Sequence, residues 1–351
     1  MKLFIYADPH VSAYSSIVRS RGSKYSTRLE NLIETLNWVE SSALEESCDE
    51  IVCLGDFFNK SDLNSEEITA LGEIRWSTIP HTFLVGNHEM GRSTLEFSSS
   101  HLFELIPKCK VIDKPYLLNW RDITFVYLPY ILESDRKPLT EYFDSHMRDN
   151  IIIFSHNDIA GIQMGKFISQ EGFSIEEIEN NCRLFVNGHL HNGTCIGKNI
   201  INLGNITGQN FSEDASLYRH NALILDTSDM SVKWIENPYA LNFYKQDMTT
   251  YTPEVDDDAA YNLLKGLGPK AVLTLKIRPD EKIFYEDMVS NLDNIIAYRI
   301  LLDIEAQIPG EVINEKPSSI ALDHLSKFSD YVKETIGTDS LVLEELEKVL
   351  E

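Results

Sequence analysis

Five short apolar runs in this chain each end in a residue able to hold a metal ion. Residues 3–7 precede Asp8 and His10, residues 51–54 precede Gly55-Asp56, and residues 83–85 precede Gly86-Asn87-His88-Glu89. Residues 151–154 lead into Ser155-His156, and residues 184–186 into Gly188-His189-Leu190-His191. Short continuous apolar runs bounded by turn residues predict strands buried on both faces, and open sheets of such strands place ligands at the strand carboxyl ends. The five groups are therefore expected to converge on one edge of the fold. They offer carboxylate oxygens, an amide oxygen and imidazole nitrogens, a set suited to manganese, iron or zinc rather than calcium.

Asp8, His10, Asp56, Asn87, His156, His189 and His191 are more ligands than one ion needs. A natural division gives one ion Asp8, His10 and His191, gives the other Asn87, His156 and His189, and lets Asp56 bridge. Two metals about 3.5–4 Å apart clamp the attacking and leaving oxygens of a phosphoryl displacement and activate a water. The chemistry implied is hydrolysis of a phosphoester.

The elements that must position these groups follow from periodicity. Thr27-x-x-Glu30 reads as a capping box opening an amphipathic helix, with Leu29, Leu32, Ile33, Leu36 and Val39 at the helical period. Asn64-x-x-Glu67 opens a second helix, and residues 116–120 and 123–128 flank Arg121-Asp122 as a hairpin. Further strands are expected near 200–203, 222–225 and 232–235. The alternation of strands and helices gives an α/β layer plan. A core is expected over 1–237, with a linker at 238–258 ending in Asp256-Asp257-Asp258. A small α/β module follows over 259–310, built from a strand at 271–277, a helix at 285–292 and a strand at 295–304, and then a helical segment at 311–351.

The 351 residues exceed a usual single domain, and the composition, 43% hydrophobic and 25% charged, is that of a globular protein. No apolar stretch is long enough to span a bilayer, and the amino-terminal run meets Asp8 too early for a signal peptide, so a cytoplasmic location without membrane partners is expected. The five cysteines, Cys48, Cys53, Cys109, Cys182 and Cys195, are odd in number and widely spaced, as in a reducing compartment. The formal charge of −24 argues against tight unassisted binding of nucleic acid. The cluster of Arg19, Arg21 and Lys24, with Arg28 nearby, could meet a phosphate backbone or could equally be plain solvated surface.

Asp8-x-His10, Gly55-Asp56, Gly86-Asn87-His88-Glu89, His156 and Gly188-His189-x-His191, in that order, resemble the signature set of the calcineurin-like metallophosphoesterases. The resemblance implies a two-sheet sandwich with outer helices, followed here by a small carboxyl-terminal α/β cap and terminal helices. It also implies that His88 stands beside the metals as a proton donor or charge stabiliser, with Glu89 orienting its ring or bracing a loop. The stretch 202–213, with Phe211-x-Glu213, is similar to that of SbcD-type exonucleases, including nuclease subunits of phage recombination complexes. That branch implies DNA as substrate, two divalent ions with manganese favoured over magnesium, iron or zinc, an SbcC-type coiled-coil ATPase subunit, and a homodimer. In it a carboxyl-terminal helical segment docks on the coiled-coil base. Here residues 329–351 could do so, or could pack on their own domain. One departure stands out: many cellular members carry a histidine three residues after the bridging aspartate, where this chain has Asn59, which bears on exonuclease action. Two rival readings are a small-molecule or nucleotide phosphoesterase, favoured by the acidic surface, and a non-catalytic scaffold on the same fold, disfavoured by the complete ligand set.

Overall fold

The computed structural model describes residues 1–15, 17, 24–143, 149–164 and 167–303. The terminal helical segment at 311–351 and the basic residues Arg19 and Arg21 lie outside the described residues.

Among the described residues, fifteen strands build the three main sheets. They are β1 (Lys2–Tyr6), β2 (Glu50–Cys53), β3 (His81–Leu84), β4 (Cys109–Ile112), β5 (Tyr116–Trp120), β6 (Ile123–Leu128), β7 (Ile151–Ser155), β8 (Leu184–Asn187), β9 (Thr194–Ile196), β10 (Ile200–Asn202), β11 (Asn221–Asp226), β12 (Ser231–Glu236), β13 (Asn242–Asp247), β14 (Ala271–Ile277) and β15 (Ile295–Leu302). The first six-stranded sheet runs β12-β11-β1-β2-β3-β4, the second β9-β10-β8-β7-β6-β5, and the third β13-β14-β15. Within the first sheet β1, β2 and β3 are parallel, and within the second β7 and β8 are parallel. These are the five strands whose carboxyl ends carry the candidate ligands.

Side-chain alternation explains why the two large sheets stack. Leu3, Ile5, Val52 and Leu84 point to one face and pack against Phe125, Tyr127, Ile152, Phe154 and Val186 of the second sheet. Phe4, Tyr6, Ile51 and Phe83 point the other way, onto Leu29, Leu32, Leu36 and Val39 of α1 (Thr27–Glu45). Each such side chain taken from water contributes about 1.5–3 kcal/mol, so strands apolar on both faces are held from both sides. The second sheet is covered in the same way, with Ile178 of α3 (Ile175–Asn181) among Val126, Leu128, Ile153 and Phe185.

Local signals hold with two corrections. The box opening α2 (Ser65–Leu71) forms as expected, Glu67 N donating to Asn64 Oδ1 at 2.8 Å and Asn64 N to Glu67 Oε2 at 2.9 Å. The cap of α1 is Ser26 rather than Thr27: Ser26 takes the extended backbone a cap requires and its Oγ accepts from Leu29 N, which leaves Thr27 inside the first turn.

The stretch 238–258 is not a bare linker. It holds β13, paired in parallel with β14 from Asn242↔Ala271 to Asp247↔Lys276, and the start of α4 (Pro253–Lys265). Pro253 opens that helix, where its missing N–H costs nothing. Asp256, Asp257 and Asp258 then lie in its amino-terminal half, near the positive end of the helix dipole, although Asp256 itself is kinked. An acidic run reads as solvated coil in sequence because the dipole that favours it exists only once the helix forms. The module is completed by α5 (Lys282–Ser290), placed a little earlier than the expected 285–292, and by Leu273, Leu275 and Tyr285 in its core.

Among the described residues, no helix is long and apolar enough to cross a membrane. Among the described residues the cysteines form no disulfide.

Candidate metal centre

The carboxyl ends of the five strands meet where the edges of the two large sheets approach each other. His10 Nε2 lies 3.1 Å from His191 Nε2 and 3.6 Å from Asp56 Oδ2. His156 Nε2 lies 3.2 Å from the same Asp56 oxygen and 3.2 Å from Asn87 Oδ1, which is itself 3.0 Å from His189 Nδ1. Asp8 Oδ1 is 3.6 Å from His156 Nδ1. All seven expected ligands are thus joined in one continuous cluster. Two groups within it have donor atoms close enough to share an ion, His10 with Asp56 and His88, and Asp56 with His156 and His189. Asp56 belongs to both.

Local backbone explains how these side chains reach one point. Asp8, His10, Asp56 and His189 all adopt positive φ, 51°, 47°, 47° and 72° respectively. Such conformations are costly for non-glycine residues and persist where the surroundings over-determine them. The turns are also closely nested. A Cβ on Gly55 would lie 2.4 Å from His156 Nδ1, and one on Gly86 would lie 2.1 Å from Asp56 Oδ1. Glycine before each ligand is therefore a requirement of packing as well as of turn shape.

Three imidazoles are oriented by a hydrogen bond from the ring nitrogen opposite the one that faces Asp56 or Asn87. His10 Nδ1 pairs with Asn59 Oδ1 at 3.2 Å, His156 Nδ1 donates to Leu54 O at 2.7 Å, and His189 Nε2 pairs with Asp158 Oδ1 at 3.3 Å. Metal-bound histidines are held in this way, with the ring's second nitrogen tied to an amide, carbonyl or carboxylate. The donor set, its nested turns and these ties fit two divalent cations bridged by Asp56.

A family model described as "Calcineurin-like phosphoesterase" matches residues 1–193. The chain belongs to the calcineurin-like phosphoesterases. This metal-dependent phosphoesterase family holds a dinuclear centre, and the cluster described above is where this member offers its ligands. Solved structures to which the chain is similar include TT1561 of Thermus thermophilus, with 10% identity over 67% of this chain and 98% of that one at a TM-score of 0.39. A dimetal phosphatase from Danio rerio is 13% identical over 68% and 99% of the two chains, with a TM-score of 0.40. The purple acid phosphatase PPD1 from yellow lupin seeds is 12% identical over 68% of this chain and 51% of that one, with a TM-score of 0.43. No curated protein matches the chain.

The electrostatics of this calcineurin-like phosphoesterase follow from burial. Burial pushes the Asp8 carboxyl above the ordinary carboxylate range, the His156 ring pulls it back in part, and Asp56 adds to the rise. Burial would raise Asp56 as well, but His156, His10 and His88 outweigh it and hold this carboxyl low. Burial drives His10 well down and takes His191 down to about 4, so both rings are neutral donors at neutral pH. His156 is the opposite case: burial lowers it, and the Asp56 carboxylate more than compensates.

The remaining sequence candidates separate by position. His88 N donates to Asp56 Oδ1 at 3.0 Å and its Nδ1 lies 3.3 Å from Asn59 O, and the ring offers a donor atom near those of His10 and Asp56. Glu89 turns away from that ring. It is fully buried and accepts from Phe58 N and Gly86 N, both at 2.9 Å, bracing the Asp56 loop against the Asn87 loop, and burial raises its carboxyl to about 7. Phe211 packs on Phe243 of β13, with ring centroids 5.4 Å apart, under the Arg299 guanidinium of β15. It joins the carboxyl-terminal module to the loop after β10 and takes no place among the ligands. Arg28 is not a surface cation: it is buried and donates to Pro9 O at 3.0 Å and Gly208 O at 2.8 Å, tying the His10 loop to that same loop.

Sequence reasoning missed Asp158, although an acid two residues beyond His156 was a visible signal. It also missed Gln209, whose Nε2 donates to Asp8 O at 2.9 Å, and nothing in the sequence marks that contact.

Proposed function

We propose that this chain is a two-metal-dependent phosphodiesterase that cleaves DNA, the nuclease subunit of an SbcCD-like repair or recombination complex working in the cytoplasm. One observation carries the hydrolytic reading: Asp56 is shared by two groups of donors, each able to hold an ion. In this reading Asp8, His10, Asp56, Asn87, His156, His189 and His191 hold the ions, with manganese favoured. When bound, such a pair supplies Lewis acidity and an activated water for in-line displacement at phosphorus.

The chain's own residues do the rest. Asn59, Leu54 and Asp158 keep three imidazoles aimed inward. His88, anchored through its backbone on Asp56 and at Nδ1 on Asn59, presents Nε2 to protonate the departing oxygen. The preference for DNA rests on the similarity of residues 202–213 to SbcD-type enzymes. In this structure Glu213 accepts from Gln209 N at 3.1 Å and Asn205 Nδ2 at 3.1 Å, and Gln209 in turn donates to Asp8 O, which ties that stretch to the metal centre. The net charge of −24 favours a second reading, a phosphoesterase for small esters, unless an ATPase subunit supplies the basic surface that DNA needs.

The deciding experiment is manganese-dependent release of nucleotides from linear duplex DNA by the purified chain, alone and with an SbcC-type partner, alongside a mononucleotide ester. Cleavage lost with chelator and lowered about 10²–10⁴-fold in His88→Ala is expected. Hydrolysis of the small ester alone, with the partner present, would select the second reading.

A further inference from the structure

A cleft of about 360 Å³ lies one side chain away from the metal centre, and none of the seven expected ligands lines it. Its walls are the hairpin of Met90–Gly91 and Thr94–Ser98, the turn between β4 and β5, and the segment after β6. Two links join it to the site. Met90 directly follows His88-Glu89, and Tyr130 stands with its ring centroid 5.8 Å from that of His189. Tyr130 is fixed there because its N–H donates to Val85 O at 2.9 Å, at the end of β3 just before Gly86-Asn87.

The lining identifies the class of ligand. Leu95, Pro115, Ile131 and Leu132 supply apolar walls, and Tyr130 and Tyr142 supply two aromatic rings. The charged residues are Lys114 and Lys137 set against Asp113, Asp135 and Glu96, which leaves no positive excess. Such a cleft is no trap for a phosphate. It suits a neutral, flat, polar-edged group whose own phosphate is held elsewhere, and its volume falls in the range of small-molecule sites. Aromatic side chains beside a nucleic-acid site accept bases of any sequence, because every base has a π-face.

We infer that this cleft is a nucleoside subsite: it takes the base and sugar adjoining the scissile phosphate, with Tyr130 as the stacking wall between base and metal centre. The inference rests on the phosphodiesterase reading and adds to it a specificity-determining element, the hairpin that follows His88.

The test uses the full chain with manganese and two esters, methyl p-nitrophenyl phosphate and thymidine 5′-monophosphate p-nitrophenyl ester. Binding of thymidine 5′-monophosphate is measured directly in parallel. Thr94→Trp fills the cleft from the half-buried hairpin, and Tyr130→Leu removes the ring while keeping bulk. Wild type should show a KM for the nucleoside ester about tenfold below that for the plain ester, and each variant should raise that KM and the nucleotide Kd about tenfold. Turnover of the plain ester should stay unchanged in Thr94→Trp. Equal KM values for the two esters in the wild type, or a nucleotide Kd unmoved by both variants, would overturn the subsite. A chain that hydrolyses neither ester, yet binds the nucleotide and loses it in both variants, would overturn the hydrolytic reading and uphold the cleft.

Discussion

The carboxyl ends of β1, β2, β3, β7 and β8 and those of β13, β14 and β15 are built from the same unit, parallel strands faced by helices, yet only the first set gathers chemistry. In the three-stranded module the polar group at the end of β14 is consumed by its own surroundings. Arg278 Nε donates to Glu281 Oε1 at 2.8 Å, and Nη2 to Tyr251 O at 2.9 Å. At the other end four of the ligands sit on left-handed backbone, whereas between 242 and 303 only Lys270, among described non-glycine residues, has positive φ. Two facing sheets enclose a space into which strained turns can aim side chains. A single sheet with its strand ends tied into its own loops encloses no such space.

That contrast can be broken most severely at Asp56. Asp56→Ala should cost both ions and about 10³-fold or more in turnover, read by metal content and phosphodiester hydrolysis, because it removes the bridge and leaves imidazoles facing one another. A variant retaining two ions would place the bridge elsewhere. A smaller effect is expected at the ties: Asp158→Asn and Asn59→Ala should each weaken metal affinity by about 10–100-fold while leaving the ligand set intact. Unchanged affinity in both would mean that ring orientation comes from packing.

The pH dependence of metal uptake sharpens the same point. In the ion-free cluster Asp8 and His156 both hold protons more tightly than usual, Asp8 through burial and His156 because Asp56 outweighs burial. An incoming cation must displace those protons, so apparent affinity should rise as pH rises through neutrality, with proton release visible by calorimetry in buffers of different ionisation enthalpy. Affinity flat across that range would contradict it. The least effect on chemistry is expected from the module. Leu273→Ala, at a fully buried position of β14, should destabilise by about 2–5 kcal/mol. Hydrolysis of a small ester below the melting transition should be unaltered.

Much of this was legible in the residues, and the exceptions share a cause. Five apolar runs ending in Asp, Asn or His mark both the strands and the ligands, since a doubly buried strand needs an unbroken apolar run and a metal needs particular donor atoms. Asn64 and Glu67 announce their helix because a capping box is a contact between near neighbours. Asp256, Asp257 and Asp258 misled for the reason that favours them in place, the field of a helix that exists only when folded. Arg28 looked like a surface cation and is buried, because its carbonyl acceptors, Pro9 and Gly208, come from loops far apart in the chain.

The sequence by itself determined which atoms can hold ions and that they stand at strand ends, because local pattern and donor chemistry are properties of short stretches. Only the tertiary structure decided that Glu89 braces two loops rather than orienting His88, that Phe211 serves the module junction, and that a cleft without positive excess adjoins the centre. Each of these depends on side chains separated by tens to hundreds of residues meeting at one point, and such distances are set when two sheets pack face to face.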